Sequence, residues 1–183
     1  MMLDIIKSDK YLRECLEYLD VVIYDDFRKP LDLDGRISYS MNGKAFASTG
    51  AGDEYILLED DTAAVCGSDG ECGRIAESIE GFFSLVINFP CYWDFLNPVY
   101  YTDGNKERFA RAFAQVMEEN GYDDQQIGYI SKKLNIPRDN DILKTASAFY
   151  TAAEREPKFE FSIDGEKSAG LFIHVVKGYF YDN

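Results

Sequence analysis

A single histidine, His174, serves the whole chain of 183 residues. A Ser-His-Asp or Cys-His arrangement would depend on it alone, and a two-histidine metal site within the chain is impossible. It stands in Leu171-Phe-Ile-His-Val-Val176, where strand alternation sets it on the face opposite Ile173 and Val175. A structural or solvent-facing histidine is the expectation. Cysteine is also thin: Cys15, Cys66, Cys72 and Cys91 have no CxxC or other metal-like spacing and read as free thiols of a reducing cytosol. No stretch approaches the ~20 apolar residues that span a bilayer. The opening Met1-Met-Leu-Asp-Ile-Ile-Lys7 is too short in apolar run and too acidic for a signal peptide, so a cytoplasmic protein is expected.

Positive charge is scarce. Lys and Arg number 19 against 33 Asp and Glu, for a net charge of -14. Such a field repels nucleic-acid phosphates and anionic lipid and attracts basic proteins. Direct binding to DNA, RNA or membrane is therefore not expected, although the same charge also maintains solubility. Aromatic surface, by contrast, is abundant, with 13 Tyr and 13 Phe. It must be buried, which excludes global disorder. A chain of this length buries ~70% of its unfolded surface, enough for one domain over 1–183.

The hydrophobic periodicity alternates between helix and strand. Ser8 is placed to cap a helix to about Leu19, with Tyr11, Leu12, Cys15, Leu16 and Leu19 on one face. The apolar run Val21–Tyr24 leads into a charged stretch, Asp25 to Gly35, read as loop and edge structure. Short strands follow at Ala45–Thr49, Tyr55–Leu58, Thr62–Cys66 and Arg74–Ala76, joined by turn residues as in an antiparallel meander. Ser78 opens the clearest helix, with Ile79, Phe82, Phe83, Val86 and Ile87 as its stripe and Pro90 as its stop. Three more helices are expected within about 103–156, an insert or appendage, and then a closing hairpin around Asp164-Gly165. The fold class is α+β: a small curved antiparallel sheet with flanking helices.

Catalytic patterns are missing. Gly67-Ser68-Asp69-Gly70 is not a G-x-S-x-G elbow, and the glycines at 50, 52, 67, 70 and 73 lack the Gly-Lys-Ser/Thr end of a phosphate loop. Asp69-x-Glu71 and Glu59-Asp60-Asp61 offer oxygen ligands to a divalent cation, but no EF-hand loop surrounds them. No metal or cofactor is expected. The charge distribution stands out instead. Between Asp53 and Glu77 eight acidic residues accompany one basic residue, Arg74, which is half of the chain's net charge. Several fall in turns, where they would gather at one edge of a sheet as a solvated rim or as a docking face for a basic protein.

Residues 46–87, FASTGAGDEYILLEDDTAAVCGSDGECGRIAESIEGFFSLVI, resemble the core of the SMI1/KNR4 (SUKH) superfamily. The shared layout is a strand entering a small-residue turn, an acidic-flanked apolar strand, another short strand, and the helix entry Ala76-Glu77-Ser78-Ile79 followed by Phe82 and Phe83. The Leu-Pro-x-x-Tyr and Asn-Gly-Gly elements usual in that family are missing; Asn42-Gly43 is the nearest remnant. The resemblance implies an α+β fold without catalytic residues. It further implies a bacterial immunity protein that neutralises a polymorphic toxin, often a nuclease, or else a regulatory interaction module. A carboxylate-based hydrolase is the remaining alternative, and no spacing proposes its acid pair. The expected contact residues are Glu59, Asp60, Asp61, Asp69 and Glu71 as a charged rim, with Tyr92 and Trp93 as aromatic anchors or as core.

Overall fold

Glu54–Leu58 and Ala63–Cys66 are apolar at nearly every position, which is the pattern of strands covered on both faces. The computed structural model, which describes residues 2–67, 70–96, 106–139 and 141–171, arranges them that way. Strands β1 (Val22–Arg28), β3 (Gly43–Ser48), β4 (Glu54–Leu58), β5 (Ala63–Cys66) and β6 (Glu71–Ala76) form an antiparallel sheet in the order β1-β3-β4-β5-β6. A two-residue strand, β9 (Ala169–Gly170), adds in parallel to β6. A second antiparallel sheet holds β2 (Ile37–Tyr39), β7 (Phe161–Ile163) and β8 (Glu166–Lys167).

Side chains alternate across the central sheet. Tyr55 and Val65 join the larger hydrophobic cluster with the helices, while Ile56, Leu58, Ala64 and Cys66 join a smaller one with Phe159 and Phe161 on the second-sheet side. The molecule is thus layered as helices, sheet and small sheet. Two bulges adjust the alternation. The register slips between Ala45 and Ala47, and both Phe46 and Ala47 enter the helix-side cluster. It slips again where Ala63 pairs Ala76 and Ala64 pairs Arg74, and both Ile75 and Ala76 point to the helices. Gly43 is sterically required, because a Cβ there would lie 2.5 Å from Ile56 Cγ2.

The helices follow the sequence pattern with one shift at the start. Ser8 ends α1 (Met2–Ser8), its hydroxyl donating to Ile5 O at 2.9 Å. Asp9 instead caps α2 (Lys10–Tyr18), accepting from Leu12 N–H at 3.0 Å. Both residue types cap well; Asp9 has in addition the hydroxyl of Tyr129 and the ammonium of Lys133 as partners. Tyr11 does not join the buried face of α2. It is 49% exposed, edge-on to Tyr129. Ser78 caps α3 (Ile79–Asn88) as expected. The 103–156 segment contains α4 (Lys106–Asn120), α5 (Asp124–Leu134) and α6 (Ile142–Glu154). Phe109, Ile127, Ile130 and Phe149 from these helices share one cluster with Phe46, Tyr55 and Phe82, so the segment is part of the core.

The charged stretch after Tyr24, read as loop and edge structure, is edge strand as far as Arg28. Asp25 and Asp26 lie exposed in β1, the outer strand of its sheet, where charge discourages pairing with another chain. The closing hairpin turns at Asp164-Gly165, both at positive φ, but its second strand is Glu166–Lys167. The stretch expected to return, Leu171–Val176, lies outside the described residues beyond Leu171, as does His174.

Candidate interaction face

Successive turns of a meander fall at alternate ends, and this divides the acidic residues. The β4–β5 turn puts Glu59, Asp60 and Asp61 at the end where β6 finishes at Glu77, whereas Asp53, Glu54 and Glu71 lie at the opposite end, by the β3–β4 and β5–β6 turns. The single rim expected from sequence is therefore two separate groups. Asp69 and Ser68 are outside the described residues.

The Asp60 end is largely compensated. Arg74, 1% exposed, donates to Asp60 Oδ2 at 2.9 Å and to Thr62 Oγ1 at 3.0 Å. Its Nη1 reaches the carbonyl of Pro157. Arg155 approaches Asp60 at 3.6 Å and pairs with Glu77. Burial opposes the charge on Asp60, but hydrogen bonds from Thr62 and Arg74 outweigh it, so its carboxyl sits below the usual value. Asp60 thus holds the turn to β6 and to the chain after α6. Glu59 accepts from Asn42 at 2.9 Å, and Asp61 is exposed at the turn's tip with φ 65°.

The Asp53 end gathers acids from distant parts of the sequence. Asp20, just past α2, accepts from Gly50 N–H at 2.7 Å; Glu54 accepts from Leu31 N–H at 2.7 Å; and Asp53 takes the Thr49 hydroxyl at 3.0 Å. Asp94 lies in a short 3-10 turn, Tyr92–Phe95, beside Asn120 and Glu119 at the end of α4. Burial and then the Glu119 charge raise its carboxyl above the usual value, against the Asn120 hydrogen bond. Neither α2 nor α4 carries a basic residue in its last turn, so both helix dipoles add negative potential near their carboxyl ends. Burial, followed by Cys91, Asp94 and Asp20, pushes the Tyr122 hydroxyl up to about 12.

Of the two aromatic candidates, Tyr92 is core. It is 2% exposed and donates to the Tyr55 hydroxyl at 3.1 Å. Burial drives the Tyr92 hydroxyl far up and the Tyr55 hydroxyl up to about 12. Trp93 stacks on Tyr92 with ring centres 5.3 Å apart and stays half-buried at the surface. Tyr18 is 44% exposed at the same end, its hydroxyl donating to Gly121 O at 2.7 Å. Asp20, Asp94, Glu119 and Tyr18 escape a search for dense charge runs because they come from three separate segments. Their signal in the sequence is acid at helix ends without a balancing base.

A cleft of about 190 Å³ opens between β6, α3 and α6, with Glu77 and Asp139 among its lining residues. Glu77 is paired with Arg155, and Asp139 is held below the usual carboxylate value by the Asp141 N–H and Lys144. Among the described residues no group of three or more His, Cys, Asp or Glu is arranged to hold a metal ion, and no helix is long and apolar enough to cross a membrane. Comparisons with protein-family models, curated proteins and solved structures find no match.

Proposed function

We propose that the chain is a protein-binding domain without catalytic activity: an immunity-type inhibitor of the kind its SMI1/KNR4-like segment implies, which neutralises a basic toxin domain. The observation that carries this reading is the acidic Asp53 end. Asp20, Asp53, Asp94 and Glu119 gather there with Trp93 and Tyr18 on the helix side of the sheet. Acids in this arrangement attract a basic surface over several ångströms, and a half-buried indole offers an anchor once contact is made. A nuclease, whose substrate cleft is basic, is the toxin class that such a surface would block.

The test is capture of partners from the native lysate at low salt, eluted by rising salt and identified by mass spectrometry. A single basic partner that neutralisation at Asp20, Asp53 and Asp94 weakens at least about tenfold, with Asp61→Asn as a neutral control, supports the proposal. Equal affinity in the triple variant and the unaltered chain would reject this face. Several unrelated partners would instead indicate a regulatory module.

A further inference from the structure

Cys66 ends β5 and stands directly opposite Cys72 of β6. Immediately beyond them, Gly67 N–H donates to Glu71 O at 2.7 Å. Bonded and non-bonded pairs alternate along an antiparallel ladder, so Cys66 and Cys72 form a non-hydrogen-bonded pair, whose Cα atoms are typically about 4.5 Å apart. Directly opposite residues share a face of the sheet, and both thiols enter the smaller cluster with Phe159 and Phe161. Disulfides bridge Cα separations of roughly 4.4–6.8 Å. The ladder therefore holds these cysteines at bonding range.

The surroundings distinguish this pair from the other two cysteines. Cys15 and Cys91 are buried in the helix-side cluster, across the central sheet. Cys72 Sγ donates to Phe159 O at 3.3 Å and lies 3.4 Å from Ser168 Oγ, while Cys66 Sγ lies 4.0 Å from the Tyr39 hydroxyl. Burial pushes the Cys66 thiol up to about 12, and the neighbouring Cys72 contributes to the rise, as two sulfurs within electrostatic reach should.

We propose that Cys66 and Cys72 are a redox pair that closes into a cross-strand disulfide when the chain meets a small-molecule disulfide oxidant. The thiolate of Cys66, the more exposed of the two, attacks one sulfur of the oxidant. A mixed disulfide forms and one small thiol leaves. The Cys72 thiolate then attacks Cys66 Sγ and expels the second small thiol. Two electrons pass from the protein to the oxidant, and the two thiol protons end on the released thiols. Closure seals the base of the 67–71 loop. It also removes the S–H that Cys72 gives to Phe159 O, a contact between the central sheet and the chain entering β7. Elevated thiol pKa values slow the exchange, so the pair is to be judged at equilibrium and not by rate.

The full chain is equilibrated across ratios of oxidised to reduced glutathione, starting once from the reduced form and once from chain refolded under oxidised glutathione. Samples are quenched with an alkylating agent in denaturant and mapped by mass spectrometry. Both directions should converge on a Cys66–Cys72 cross-linked peptide, with Cys15 and Cys91 alkylated. The effective concentration of the pair should be at least about tenfold higher in the folded chain than in urea. Cys66→Ser and Cys72→Ser should each abolish the cross-link; the second keeps a hydroxyl donor for Phe159 O. Three results would overturn the proposal: a pair still alkylated at ratios that oxidise the urea-unfolded chain, a glutathione adduct on Cys66 that never closes, or a cross-link that joins Cys66 or Cys72 to Cys15 or Cys91 instead.

Discussion

Asp60 and Arg74 meet at 2.9 Å with the guanidinium 1% exposed and the carboxylate 25% exposed. The pair links the β4–β5 turn to β6, and removing one member strands the other. Asp60→Ala should therefore lower stability by about 3 kcal/mol, read from urea unfolding. The folded-state pKa of Asp60 is depressed, so its contribution is complete above the unfolded carboxylate pKa and is lost as pH falls through the folded one. The gap between the unaltered chain and the variant should narrow in acid. A gap that does not change with pH would contradict the assignment.

Asp9 gives a second acid-side expectation. The hydrogen bond from Lys133, followed by that from the Leu12 N–H, lowers its carboxyl to about 2. Its unfolded pKa is near the ordinary ~3.9, so it stabilises the fold above that value and stops doing so as pH falls toward 2. An NMR titration of the Asp9 carboxyl should place its midpoint well below those of exposed aspartates, and Lys133→Met should raise it.

Tyr92→Phe separates a core role from a contact role. It deletes the 3.1 Å bond to the Tyr55 hydroxyl and should cost about 1 kcal/mol of stability. Partner affinity should stay unchanged, whereas Trp93→Ala should reduce it several-fold. Equal effects of both substitutions on affinity would place Tyr92 at the interface.

Gly43→Ala tests the close approach of β3 to β4. The added methyl would sit 2.5 Å from Ile56 Cγ2, a branch on Cβ that has little freedom to move away. A loss of about 1–3 kcal/mol in urea unfolding is expected, and a neutral substitution would show that the strands separate easily.

What was legible in the sequence was local. Ser78, the Phe82–Phe83 stripe and Pro90 specify α3 with neighbours only, and the four strands from Gly43 to Ala76 carry their own turn residues. β2 was not legible, because three residues of mixed polarity become a strand only by pairing with Phe161–Ile163. β1 was hidden by Asp25 and Asp26, which suit an exposed edge but resemble a loop. The division of the acids between two ends follows from the meander itself. The convergence of Asp20, Asp94 and Glu119 depends on how α2, the 3-10 turn and α4 pack, and no local pattern encodes that.

The two hydrophobic clusters are unequal, and the central sheet separates them. The β2-β7-β8 layer rests on the smaller cluster, so it is expected to be the first unit of partial opening, with the helix-side core intact. In amide hydrogen exchange, its strands should lose protection well before β4 and β5, so the molecule would open in steps from one side.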